Sequence, residues 1–185
     1  MCGFLAELSV GICFFSGGKM LKLKEKVMYG TTGVCIVESV EQKKIGREVK
    51  EYYVLKPVSQ ATSTVFLPAD NEKLLAKVRN VLTADEVKGI ISEISSLEDI
   101  WVENDAERRL KFNEIISSGD RKVCLVLLRT LHHRQAELST KGKRLHIADE
   151  RALKEAQRLI HDEFSIALDM KSDEIGPFLK TELCL

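Results

Sequence analysis

The chain has 185 residues, with 28 Lys and Arg against 28 Asp and Glu, and five cysteines spread without a CxxC pair. Zero net charge excludes any argument for nucleic-acid binding from overall charge, so a basic surface has to be local. The odd, widely spaced cysteines speak against a disulfide scaffold or a zinc site and fit reduced thiols, with Cys35 and Cys124 as small core residues.

Phe4 to Phe15 is mostly apolar, but Glu7 interrupts it and it is too short to span a bilayer. It lacks the positive start of a secretory signal. Ser16-Gly17-Gly18-Lys19 breaks the pattern, so the fold is expected to begin at Met20. Residues 1–19 then read as a poorly ordered extension, with a membrane or partner anchor as the alternative.

Val27 to Tyr29 reads as a short strand running into Gly30-Thr31-Thr32-Gly33, whose glycines supply the backbone freedom of a tight turn. Residues 34–43 form a second strand, Ile45-Gly46-Arg47 a turn, Glu48 to Lys56 a third strand, and Ser63 to Leu67 a fourth, ended by Pro68. Short strands at a spacing of about a dozen residues predict a small β-barrel. A barrel of about fifty residues is marginal alone and needs support from the rest of the chain or a partner.

Asn71 to Leu75 reads as one helical turn, and Val78 to Val81 as a brief return to the sheet. Thr83-Ala84-Asp85-Glu86 is a capping box, followed by Val87, Ile90, Ile91 and Ile94 at helical spacing. A second helix is expected from Asn104-Asp105 through Leu110, Phe112, Ile115 and Ile116 to Ser118-Gly119. Asp120 caps a third, whose run Val123 to Leu128 is apolar on every face and therefore belongs at the centre of a bundle. After a loop at Ser139 to Lys143, Asp149 opens a long amphipathic helix, and Ser172 to Leu179 adds a short turn limited by Pro177. The fold class is α+β: a small β-barrel over residues 20–81, then an all-α helical bundle over residues 82–185.

No GxSxG, P-loop or GxGxxG is present, and no cysteine and histidine have nucleophile spacing. Adjacent His132 and His133 point about 100° apart on a helix and cannot share a metal, and His146 and His161 lie on other segments. The reading is of a non-enzyme with no cofactor and no metal, whose architecture points to partners. Arg108, Arg109, Lys111, Arg121, Lys122, Arg129, Arg134, Lys141, Lys143 and Arg144 make the helical half locally positive, the footprint of phosphate binding, with Arg108, Arg109, Lys111, Lys122, Lys141, Lys143 and Arg144 as the candidate contacts. An ordinary solvated surface explains the same residues equally well. The single tryptophan, Trp101, is either a core anchor or an exposed aromatic beside that basic segment.

At this point the chain resembles the CarD family of bacterial transcription regulators. The barrel half carries the likeness at Lys26-Val27-Met28-Tyr29, Gly33-Val34, Val37-Glu38, Lys50 to Lys56 and Leu67 to Asn71. The helical half carries it at Arg108-Arg109, Asn113-Glu114-Ile115, Ser118-Gly119-Asp120, Leu128-Arg129 and Asp149 to Glu163. The resemblance spans about residues 20–170. It implies a Tudor-like, RNA polymerase-interacting barrel, of the kind also found in transcription-repair coupling factors, docking on the bacterial polymerase β subunit by sheet-edge addition. Contact there would involve Lys43, Lys44, Arg47 and Phe66.

It further implies that the helical half meets promoter DNA in the minor groove at the upstream edge of the bubble. Trp101 would act as a wedge there, stabilising the open complex. A cytoplasmic, nucleoid-associated monomer without membrane contact follows from the same likeness. The chain departs from the family at Tyr29-Gly30-Thr31-Thr32-Gly33, where members often read Tyr-Pro-x-His-Gly, and at Phe66, where a basic residue is common. Trp101 also lies further ahead of Arg108-Arg109 than in members where the two nearly touch. A protein-only polymerase adaptor without productive DNA contact is the alternative function.

Overall fold

The computed structural model describes residues 20–45, 48–59 and 62–183. The expected extension over residues 1–19 and the polymerase candidate Arg47 lie outside the described residues. The strands are β1 (Lys26–Tyr29), β2 (Gly33–Ile45), β3 (Glu48–Pro57), β4 (Val65–Pro68) and β5 (Val78–Asn80), with the one-turn helix α1 (Glu72–Leu75) before β5. The helices α2 (Ala84–Ile94), α3 (Asp105–Ser118), α4 (Arg121–Thr140), α5 (Ile147–Ala167) and α6 (Ser172–Glu182) follow.

The five strands form one antiparallel sheet in the order β4-β3-β2-β1-β5. A closed barrel was expected; among the described residues β4 and β5 end the ladder and do not pair. The sheet nevertheless curls, because Leu67 of β4 and Val78 of β5 bury into the same cluster as Val27, Val37 and Leu55. The register shift between Val37 and Ser39 leaves Glu38 as the extra residue of a β-bulge, which adds bend and twist. Pro68 ends β4 at four residues, since proline cannot extend a ladder.

Alternation gives β1 and β2 two buried faces. Val27 and Cys35 point into the curl of the sheet, while their neighbours Met28 and Val34 join the helical core. Gly33 shows why that joint needs glycine. Its φ is +96°, and a Cβ there would lie 3.2 Å from a guanidinium nitrogen of Arg158 on α5. Arg158 also donates to the Thr31 carbonyl at 2.5 Å and the Thr32 carbonyl at 3.2 Å.

The bundle follows the sequence closely. Thr83 and Glu86 form the capping box of α2, Asn104 and Asp120 cap α3 and α4, and Gly119 ends α3 in the left-handed region. Cys124 to Leu131 of α4 is wholly buried, which places it at the centre as its all-round apolar character requires. Leu110 of α3, by contrast, is exposed, while Phe112, Ile115 and Ile116 of the same helix are buried.

Two boundaries also differ. Helix α5 starts at Ile147 behind His146, an uncommon cap, and Asp149 is its third residue instead of its start. Helix α6 continues through Pro177 to Glu182, because the carbonyl that loses its partner belongs to exposed Asp173, open to water.

Candidate polymerase and nucleic-acid interfaces

Strand β4 is an edge strand, and its outer backbone face pairs with no other strand among the described residues. Phe66 stands on it 42% exposed, paired in register with Val54 of β3. The Lys43 ammonium sits 3.1 Å from the Phe66 ring centroid, reaching over from β2. A cation on an aromatic face is a favourable pairing even at an exposed site. Lys44 is exposed one residue further along the same hairpin. Phe66 thus stands on an edge able to add a strand, and Lys43 reaches it across β3 from β2, which also carries Lys44.

The helical candidates separate into three groups. Arg109, Lys111, Lys143 and Arg144 are exposed and make no salt bridge or side-chain hydrogen bond among the described residues. Lys122 is paired with Glu93 at 2.7 Å, and Lys141 with Glu137 at 2.6 Å; both pairs are solvent-screened and loosely held. Arg108 is a correction to the sequence reading. It is only 4% exposed, and its guanidinium takes Asp149, Asp105 and the carbonyls of Val102 and Glu103. Its hydrogen bonds to Asp149, working against burial, hold its pKa above the usual arginine value. Arg108 therefore locks α3 to α5 and is not a free phosphate ligand.

Trp101 is half-buried. Its ring leans on Phe112, with centroids 6.3 Å apart, and the guanidiniums of Arg108 and Arg134 lie 4.4 Å and 4.9 Å from its centroid. Its indole N–H is buried and has no acceptor among the described residues. It is therefore neither a free wedge nor a sealed core residue. The segment before it is pinned by Arg129, which reaches from α4 to Asp99 and to the carbonyls of Ile94 and Leu97 at the end of α2. Burial opposes ionisation of Asp99, but hydrogen bonds from His133 and Arg129 outweigh it and hold the carboxyl below its ordinary range.

Residues 21–81 match the family model described as the CarD-like/TRCF RID domain. The sheet half is a CarD-like RNA polymerase-interacting domain. The match begins at Leu21 of the curled cluster and stops one residue past β5, so all five strands and α1 lie inside it. RNA polymerase is the partner class that this domain points to, with a transcription-related role. The helical half lies beyond the matched residues.

The sequence reading missed several residues of consequence. Leu110 and Ile147 are 66% and 67% exposed, and Leu110 stands between Arg109 and Lys111. The signal was present: an apolar residue between two basic ones on a helix whose other apolar positions already make a face. Arg79, Arg121, Arg158 and Glu163, which join the two halves, carry no local signal, because their partners are distant in sequence. Among the described residues no His, Cys, Asp and Glu group could hold a metal, and no helix is long and apolar enough to cross a membrane.

Proposed function

We propose that this chain is a bacterial transcription regulator that docks on the RNA polymerase β subunit through its CarD-like sheet and touches promoter DNA with its helical half. In this reading the curled sheet is Tudor-like, and the outer edge of β4 adds to a strand of the polymerase. Main-chain hydrogen bonds supply the affinity, and Phe66 with Lys43 and Lys44 the selectivity. The observation that carries the reading is a CarD-like domain whose edge strand β4 has an outer side unpaired among the described residues and bears an exposed aromatic covered by Lys43.

Arg109, Lys111, Lys143 and Arg144 would lie against phosphates, with Lys122 and Lys141 as outlying charges. Leu110 or Trp101 would be the apolar group at the unstacked step. Binding that prefers the melted form slows collapse of the bubble; this is a shift of population without turnover, and no cofactor takes part. The cellular setting is cytoplasmic, on the nucleoid.

The experiment is open-complex lifetime on a bacterial promoter with and without the full chain. The proposal requires a longer lifetime that shortens again in an Arg109→Ala, Lys111→Ala variant. A protein-only adaptor is favoured by one observation: two guanidiniums already lie against the Trp101 ring. That reading gains if polymerase binds while lifetime stays unchanged.

A further inference from the structure

Where the sheet meets the helices there is a cavity of about 530 Å³, within the usual range for small-ligand sites. The sheet side presents Thr31, Thr32, Lys77 and Arg79, and the helical side presents Ser117 and Arg121. No Asp or Glu lines it among the described residues. Behind the wall, Arg79 and Arg121 share a single carboxylate, the fully buried Glu163, with two contacts from Arg79 at 2.6 Å. Two guanidiniums therefore meet one negative charge, and Lys77 adds a third cation at the rim.

Arg121 is the more demanding of the pair, with its side chain 3% exposed. Its Nε binds Glu163 and one terminal nitrogen donates to the Gly119 carbonyl at 2.8 Å, but the other is buried with no acceptor among the described residues. A buried cation that shares its counter-charge and keeps one donor open is short of both charge compensation and a hydrogen bond, and each deficit costs free energy. A group carrying negative charge on several acceptor oxygens meets both deficits, and the hydroxyls at 31, 32 and 117 add donors at the cavity wall.

We propose that this cleft binds a phosphoryl group and that binding braces the sheet against the helices. The site is separate from the β4 edge and from the basic face of α3, and its test needs neither polymerase nor promoter. The phosphoryl group could belong to a small phosphorylated compound or to a nucleic-acid backbone.

The probe is inorganic pyrophosphate, titrated into the full chain against chloride at matched ionic strength, with heat of binding and Tm as readouts. Saturable binding that raises Tm is expected. Lys77→Glu and Thr31→Asp, both at exposed positions, should fold normally and weaken it roughly tenfold or more. A Tm shift no greater than that from chloride, or one left unchanged in both variants, would overturn the proposal. In the second arm a short frayed DNA duplex is added to the pyrophosphate complex. Displacement identifies a backbone phosphate as the source, and simultaneous binding identifies a small phosphorylated compound.

Discussion

Trp101 and Arg108 carry different jobs although they stack on one another. Arg108→Ala leaves Asp149, itself nearly fully buried, without its cation, so it should lower stability by about 3–5 kcal/mol, read from the denaturant midpoint. Arg109→Ala and Lys111→Ala should leave that midpoint within about 0.5 kcal/mol. If they meet phosphates, each should lower the log–log salt slope of DNA binding by about one. Trp101→Ala should cost less than the roughly 3–5 kcal/mol of a sealed aromatic, because its ring is only partly buried. His132 and His161 are both held below the ordinary imidazole range, chiefly by burial, with Lys180 adding repulsion at His132. The unfolded chain then binds protons more readily, so stability is full above about pH 6.5 and falls as pH drops toward the folded values. Replacing both histidines by Gln should flatten the midpoint's slope on the acid side of pH 6.5, and an unchanged slope would contradict this.

The elements whose signals are local were legible before any coordinates. Thr83 and Glu86 announce α2, Gly119-Asp120 ends one helix and caps the next, and the all-apolar run of α4 marks the bundle's centre. Thr83→Ala should accordingly lower stability by about 0.5–2 kcal/mol without altering polymerase binding. What the sequence hid depends on pairing across the chain. Closure of the sheet is decided by whether β4 and β5 come within ladder distance, and no residue in either strand reports that. The start of α5 was misplaced because Asp149 looks like a cap, whereas its carboxylate belongs to Arg108, distant in sequence. The candidate site was legible in composition but not in availability. The same arginine and lysine letters cover one buried clamp, two screened pairs and four cations without a partner among the described residues. Gly33 is the best single probe of the turn between β1 and β2. Gly33→Ala meets both a positive φ and the Arg158 guanidinium, and should cost about 1–3 kcal/mol.

Across the whole molecule, the sheet and the bundle share buried surface. Met28 and Val34 belong to the helical core, and Glu163 of α5 accepts from Arg79 of β5 and from Arg121 at the start of α4. Glu163→Gln removes the only carboxylate between two guanidiniums in that joint and should destabilise by about 3–5 kcal/mol. The same joint argues against testing the sheet as a fragment, because residues 20–81 alone would expose Met28 and Val34 to water. The proposed docking places RNA polymerase at the β4 edge of this sheet. Its most direct test is equilibrium binding of the intact chain to the purified polymerase β subunit, with Phe66→Glu and Lys43→Glu combined in one variant and Lys143→Glu and Arg144→Glu in another. The account predicts saturable binding that the first variant weakens by roughly tenfold or more and the second leaves unchanged. Binding that survives the β4 changes but is lost with the helical-face changes would contradict it.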